Sequence, residues 1–153
     1  MSIIVGIDTG VVTGLAVWDT EKQKLIRLES VPIHKALYSI NWITTTGITL
    51  GWGPVALVRV EDARLRKWVT GGRERLQGAG SVKRDAKIWE DFLTDCEIPF
   101  EMVAPRHNVT KMDSKTFAKQ TGWTKSTNQH ERDAAGLVVG FTERNLQNTL
   151  QHT

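Results

Sequence analysis

The chain has 153 residues, 40% hydrophobic and 24% charged, with a formal net charge of +3, which suits one α/β domain spanning 1–153 rather than a disordered or fibrous chain. No apolar run reaches the length of a membrane span and the N-terminus lacks a basic-then-apolar leader, so neither a membrane partner nor secretion is expected. Cys96 is the only cysteine, which excludes an intrachain disulfide and points to a reducing, cytoplasmic compartment.

Residues 3–7 are apolar or small throughout and read as a strand buried on both faces, running straight into Asp8. A carboxylate there is costly unless something cationic compensates it. Gly10, Thr13 and Gly14 mark a tight connection, and residues 15–18 return as a second strand. Such a turn serves either as one ligand of a divalent-metal site or as a backbone cradle for phosphate. The plainer alternative is a hairpin in which Asp8 caps the turn.

Residues 25–31 predict a third strand, ended by Pro32. Leu37, Ile40, Trp42 and Ile43 fit a helix from His34 to about Thr44, which the threonine run 44–46 and Gly47 should stop. A loop at 51–54 leads into a fourth strand over 55–62, closing on Glu61 and Asp62. Reached through a helical crossover, this strand should lie parallel to the first, about 5 Å away, with Asp8 and Glu61 close enough to share cations. Side chains alternate along a strand, so Glu61 and Asp62 cannot both face one site. Glu61 is the favoured ligand, and Asp62 is left to support it or to cap a helix.

Residues 63–81 have the composition of a mobile loop or of a helix that forms against a partner. Val82, Ala86, Ile88, Trp89, Phe92 and Leu93 define an amphipathic helix ending near Cys96. A short fifth strand over 98–103 follows, then a short helix over 113–121 with Asp113 or Ser114 as its N-cap. The last helix is expected from near Asn128 to about Leu150. His130 and Asp133 share one face of it, beside a core stripe of Ala134, Leu137, Val138 and Phe141. The pair either belongs to a site or caps the helix N-terminus.

Charge is unevenly spread. Residues 64–87 carry eight Lys and Arg against Glu74 and Asp85, and the rest of the chain is net negative. A thinner basic stretch holds Arg106, Lys111, Lys115, Lys119 and Lys125 against Asp113 alone. Basic clusters beside an acidic site point to a polyanion, nucleic acid above all, although either stretch alone reads equally well as a solvated face.

The order β-β-β-α-β-α-β-α, with acids ending strands one and four and a ligand pair opening the last helix, resembles the ribonuclease H-like fold. Within it the chain resembles the RuvC-type Holliday-junction resolvases. Gly6-Ile7-Asp8-Thr9-Gly10 with Thr13-Gly14 looks like that family's first motif, with Thr9 in place of the usual proline. The strand ending in Glu61 looks like the second. His130-x-x-Asp133-Ala134-Ala135 looks like the third, with His where many members carry Asp.

The resemblance implies a mixed five-stranded sheet of order 3-2-1-4-5, strand 2 antiparallel, flanked by helices. It also implies a homodimeric, metal-dependent endonuclease that makes paired nicks in branched DNA such as four-way junctions. Carried over by position, Asp8, Glu61 and Asp133 would ligate metal, while His130 would either ligate it or act on the attacking water and scissile phosphate. The implied cofactor is Mg²⁺, two ions per site, with Mn²⁺ able to substitute. Arg64, Arg66, Arg73, Arg75, Lys111, Lys115, Lys119 and Lys125 would bind phosphates. Trp68 or Leu65 would enter the open centre of a junction, with Trp68 equally placed to be an interface or core residue. Two other classes remain open. One is an actin-like ATPase or sugar-kinase-type phosphate-binding domain, a class that generally needs two such domains. The other is a nuclease-fold DNA-binding module without catalysis, against which the retention of all four candidate site residues argues.

Overall fold

Strand β1 (Ile3–Asp8) is the centre of a five-stranded sheet of order β3-β2-β1-β4-β5 in the computed structural model, which describes residues 2–65, 79–105 and 111–152. The other strands are β2 (Val12–Asp19), β3 (Lys24–Pro32), β4 (Val55–Glu61) and β5 (Phe100–Val103). β2 runs antiparallel to both β1 and β3, whereas β4 is parallel to β1 and to β5. This is the order and polarity that the family resemblance implies.

Every residue of β1 is buried, because helices cover both faces of the sheet. Ile3, Val5 and Ile7 point to one side. There they meet Ala36, Ile40 and Ile43 of α1 (Ile33–Thr49) and Trp89 and Leu93 of α2 (Ala79–Asp95). Ile4 points to the other side, with Ala16 and Leu57, and meets Ala134 and Ala135 of α4 (Gln129–Gly136) and Val138 just beyond it. Phe117 of α3 (Ser114–Thr121) and Leu146 of α5 (Glu143–Gln151) complete that second layer. The twofold alternation of a strand thus separates two cores, and Asp8 falls on the face that α4 covers.

Two expectations from the sequence are corrected. Helix α1 does not stop at the threonine run but continues to Thr49. The hydroxyls of Thr44 and Thr45 bond back to the carbonyl of Asn41, at 3.0 and 2.8 Å, so they are satisfied within the helix rather than drawing the chain into a turn. Gly47 is buried against the Trp52 ring, which packs the last turn down. The final helix, expected as one piece to Leu150, is two. Gly140 adopts φ 92°, and Thr142 then caps α5 by accepting the Asn145 N–H at 3.1 Å. Carbonyls freed between the two helices are taken up from the sheet. Arg59 reaches Leu137 O at 2.5 Å, and Trp18 Nε1 reaches Phe141 O at 2.8 Å.

The fifth strand is shorter than expected and α2 starts earlier, but both lie where the pattern put them. Of the basic segment 63–81, a 3-10 turn at Ala63–Leu65 and the start of α2 are described, and 66–78 lie outside the described residues. Among the described residues no helix is long and apolar enough to cross a membrane.

Candidate active site

Parallel pairing of β1 with β4 matches Ile7 to Val60, so the next residue of each strand, Asp8 and Glu61, emerges at the same end of the sheet. Thr9 ties these ends together, its hydroxyl donating to the Glu61 carbonyl at 2.9 Å. On the other side of β1, Asp8 pairs with Gly14 of β2. Helix α4 lies across this corner with its backbone against the sheet. A Cβ on Gly14 would collide with the His130 carbonyl, and one on Gly6 with the Ala134 carbonyl. Glycine at both positions is what admits the helix so closely.

The α4 N-terminus is capped by a reciprocal pair. Asn128 accepts the Glu131 N–H at 3.0 Å, and Glu131 accepts the Asn128 N–H at 3.2 Å. His130 and Asp133 are therefore not the capping pair that the sequence left open, and their side chains reach elsewhere. Nδ1 of His130 lies 3.0 Å from Oδ2 of Asp8. Asp133 accepts from Gln129 Nε2 at 2.7 Å through Oδ1, and from Lys111 Nζ at 3.0 Å through Oδ2.

Asp8 is only 8% exposed, and burial pushes its carboxyl above the ordinary range. The hydrogen bond to His130 works against that shift, while the neighbouring Asp133 charge adds to it. The Lys111 ammonium is held charged, first by its bond to Asp133 and then by the fields of Asp133, Asp8 and Glu61. A cleft of about 440 Å³ opens beside the cluster, lined by Glu61, Asp133 and Lys111 together with Met112, Phe117 and Leu137. Among the described residues no three His, Cys, Asp or Glu side chains close into a ready chelate. The cation bonded to Asp133 is Lys111.

Asp62 faces the opposite way. It is buried, accepts the Arg64 N–H at 2.9 Å and pairs with the Arg64 guanidinium at 2.7 Å. Arg64 also reaches Glu90 at 2.7 Å, so its guanidinium is shared between two carboxylates. Leu65 is exposed at the edge of the described residues. Arg66, Trp68, Arg73 and Arg75 lie outside them. Lys115 and Lys119 are exposed on α3, and Lys125 stands 5.9 Å over the Trp123 ring.

Three contributors were not singled out from the sequence. Gln129 stands four residues before Asp133 on one helix, a spacing that could have revealed it. The role of Thr9 depends on β1–β4 pairing. Arg59 joins β4 to Glu101 at 2.6 Å, to Leu137 O, and to the Phe141 ring at 4.9 Å, contacts that no local pattern encodes.

No protein-family model and no curated protein matches the chain. Solved structures do. One is T. thermophilus RuvC in complex with a Holliday junction substrate, at 16% identity and TM-score 0.57, covering 90% of each chain. Another is Thermus thermophilus RuvC, at 16% identity and TM-score 0.56, covering 90% of this chain and 91% of that one. With the strand order and polarity described above, this likeness shows that the chain has the ribonuclease H-like fold of RuvC.

Proposed function

We propose that the protein is a divalent-metal-dependent endonuclease that resolves Holliday junctions or related branched DNA by paired nicks, acting as a homodimer. The observation that carries this reading is the contact between Asp8 and His130 at the end of the central strand, within a fold shared with RuvC over 90% of the chain. The chemistry of the four residues would suit a hard cation: they are three carboxylates and an imidazole, and the most buried of them, Asp8, is penalised for its charge. Asp8, Glu61 and Asp133 would hold Mg²⁺, two ions per site, and the imidazole of His130 favours tolerance of Mn²⁺. Such a pair of ions, when bound, supplies an activated water and charge stabilisation at the leaving oxygen.

The protein's own groups do the rest. His130, on Asp8, would ligate an ion or orient the water. Lys111, already charged beside the carboxylates, would meet the scissile phosphate, and Lys115, Lys119 and Lys125 would bind the flanking backbone in a salt-dependent manner.

The test is a labelled four-way junction beside a linear duplex of the same sequence, each incubated with Mg²⁺, Mn²⁺ or EDTA. Metal-dependent paired nicks in the junction alone are expected, with Asp8→Asn binding the junction but leaving it uncut. Junction binding without cutting by the wild-type protein, or ATP hydrolysis without nicking, would overturn the proposal.

A further inference from the structure

The two carboxylate oxygens of Asp133 are each bonded to a different side chain. Oδ2 meets Lys111, a flexible side chain two-thirds exposed, which any stronger cation can displace. Oδ1 meets Gln129, and this contact is built differently. The Gln129 amide is itself fixed from behind, its Oε1 accepting from the Arg132 guanidinium at 3.3 Å. Arg132 in turn is anchored on the backbone of two loops, at Met112 O (2.9 Å) and Thr127 O (2.8 Å), and on the Thr127 hydroxyl (2.9 Å). The amide therefore has one permitted orientation. Turned over, its oxygen would face a carboxylate and its NH₂ a guanidinium, both repulsive.

From this geometry we infer that Gln129 is a positioning residue for Asp133: backed by Arg132, it holds Oδ1 and so fixes the orientation in which this carboxylate would meet a divalent cation. The inference rests on the metal-dependent reading above and adds to it the group that fixes the Asp133 carboxylate. An amide suits the task because it donates to the carboxylate without adding a charge of its own. A leucine of similar size keeps the helix but leaves the carboxylate free to rotate and loses the bond that orients it.

The experiment measures Mn²⁺ binding to the full chain by calorimetry, and the Mn²⁺ dependence of junction cutting, for wild type, Gln129→Leu and Thr142→Ala. Thr142→Ala removes a helix cap remote from Asp133 and controls for a general loss of stability. Gln129→Leu should weaken Mn²⁺ binding by about 10- to 100-fold and raise the half-saturating Mn²⁺ for cutting by the same factor. The rate at saturating Mn²⁺ should largely recover, and Thr142→Ala should leave Mn²⁺ affinity unchanged. If wild type binds Mn²⁺ and Gln129→Leu binds it within twofold as well, the positioning role is overturned while the nuclease reading stands. If wild type binds no Mn²⁺, both fall together.

Discussion

Gly14 lies so close beneath the carbonyl of His130 that no side chain fits between strand and helix. The contact sets the height of α4 above the sheet, and with it the reach of His130 to Asp8. Gly14→Ala forces the helix outward or the strand inward, and overpacking of this kind costs about 1–3 kcal/mol. The urea midpoint should fall accordingly. Gly6→Ala, which meets the Ala134 carbonyl, should behave the same way. Gly136, whose Cβ would meet nothing, is the contrasting site, where alanine should be neutral or stabilising.

A second prediction concerns pH. The folded-state pKa of Asp8 is raised, chiefly by burial, so the native protein binds its proton more tightly than the unfolded chain does. The stability this confers is present in full below the ordinary carboxylate range and is lost as pH rises through the folded-state pKa. In EDTA, Asp8→Asn should therefore melt higher than wild type at pH 7, with the gain vanishing near about pH 4. Mg²⁺ should reverse the ranking at neutral pH, since a ligand at 100 times its dissociation constant adds about 2.7 kcal/mol to the form that binds it. Calorimetric melts across pH, with and without Mg²⁺, check both statements.

Arg59 should prove irreplaceable by lysine. Its guanidinium makes a 2.6 Å ion pair with Glu101, bonds Leu137 O and lies 4.9 Å from the Phe141 ring centroid, with only 17% of the side chain exposed. A lysine cannot serve these directions at once. Arg59→Lys should lose about 2 kcal/mol in equilibrium unfolding, because a partly buried carboxylate and a helix-end carbonyl lose their donor.

Removing the cap of α4 separates stability from site geometry. Asn128→Ala deletes the acceptor for the Glu131 N–H and should cost about 1 kcal/mol. The first turns of the helix then fray, and they carry His130. Cutting, measured at a temperature where the variant remains folded, should fall by more than the stability loss explains, whereas Asn128→Asp should retain both.

Much of this arrangement is legible in the sequence. The unbroken apolar run before Asp8 marks a central strand, and the alternation in β4 places Glu61 and Asp62 on opposite faces. The single-sided apolar stripe of α2 is plain from Val82 to Leu93. What escapes a local reading depends on distant partners. The threonine run looks like a helix stop until the hydroxyls are seen bonded to Asn41 within the helix. The last helix breaks because Gly140 turns the chain and because Arg59 and Trp18, both from strands, take up the freed carbonyls. Lys111 reads as one more basic residue for phosphate, and its bond to Asp133 spans 22 positions that no periodicity connects.

Asp8 and His130 are 122 positions apart, which has a consequence during synthesis. On the ribosome the first three strands can pair as hairpins soon after they emerge, but the segment carrying His130 and Asp133 arrives much later. That same segment brings Ala134, Ala135 and Val138, which cover Ile4, Ala16 and Leu57. A nascent or prematurely terminated chain lacking it would therefore display a bare greasy sheet, a signal for chaperones and proteases.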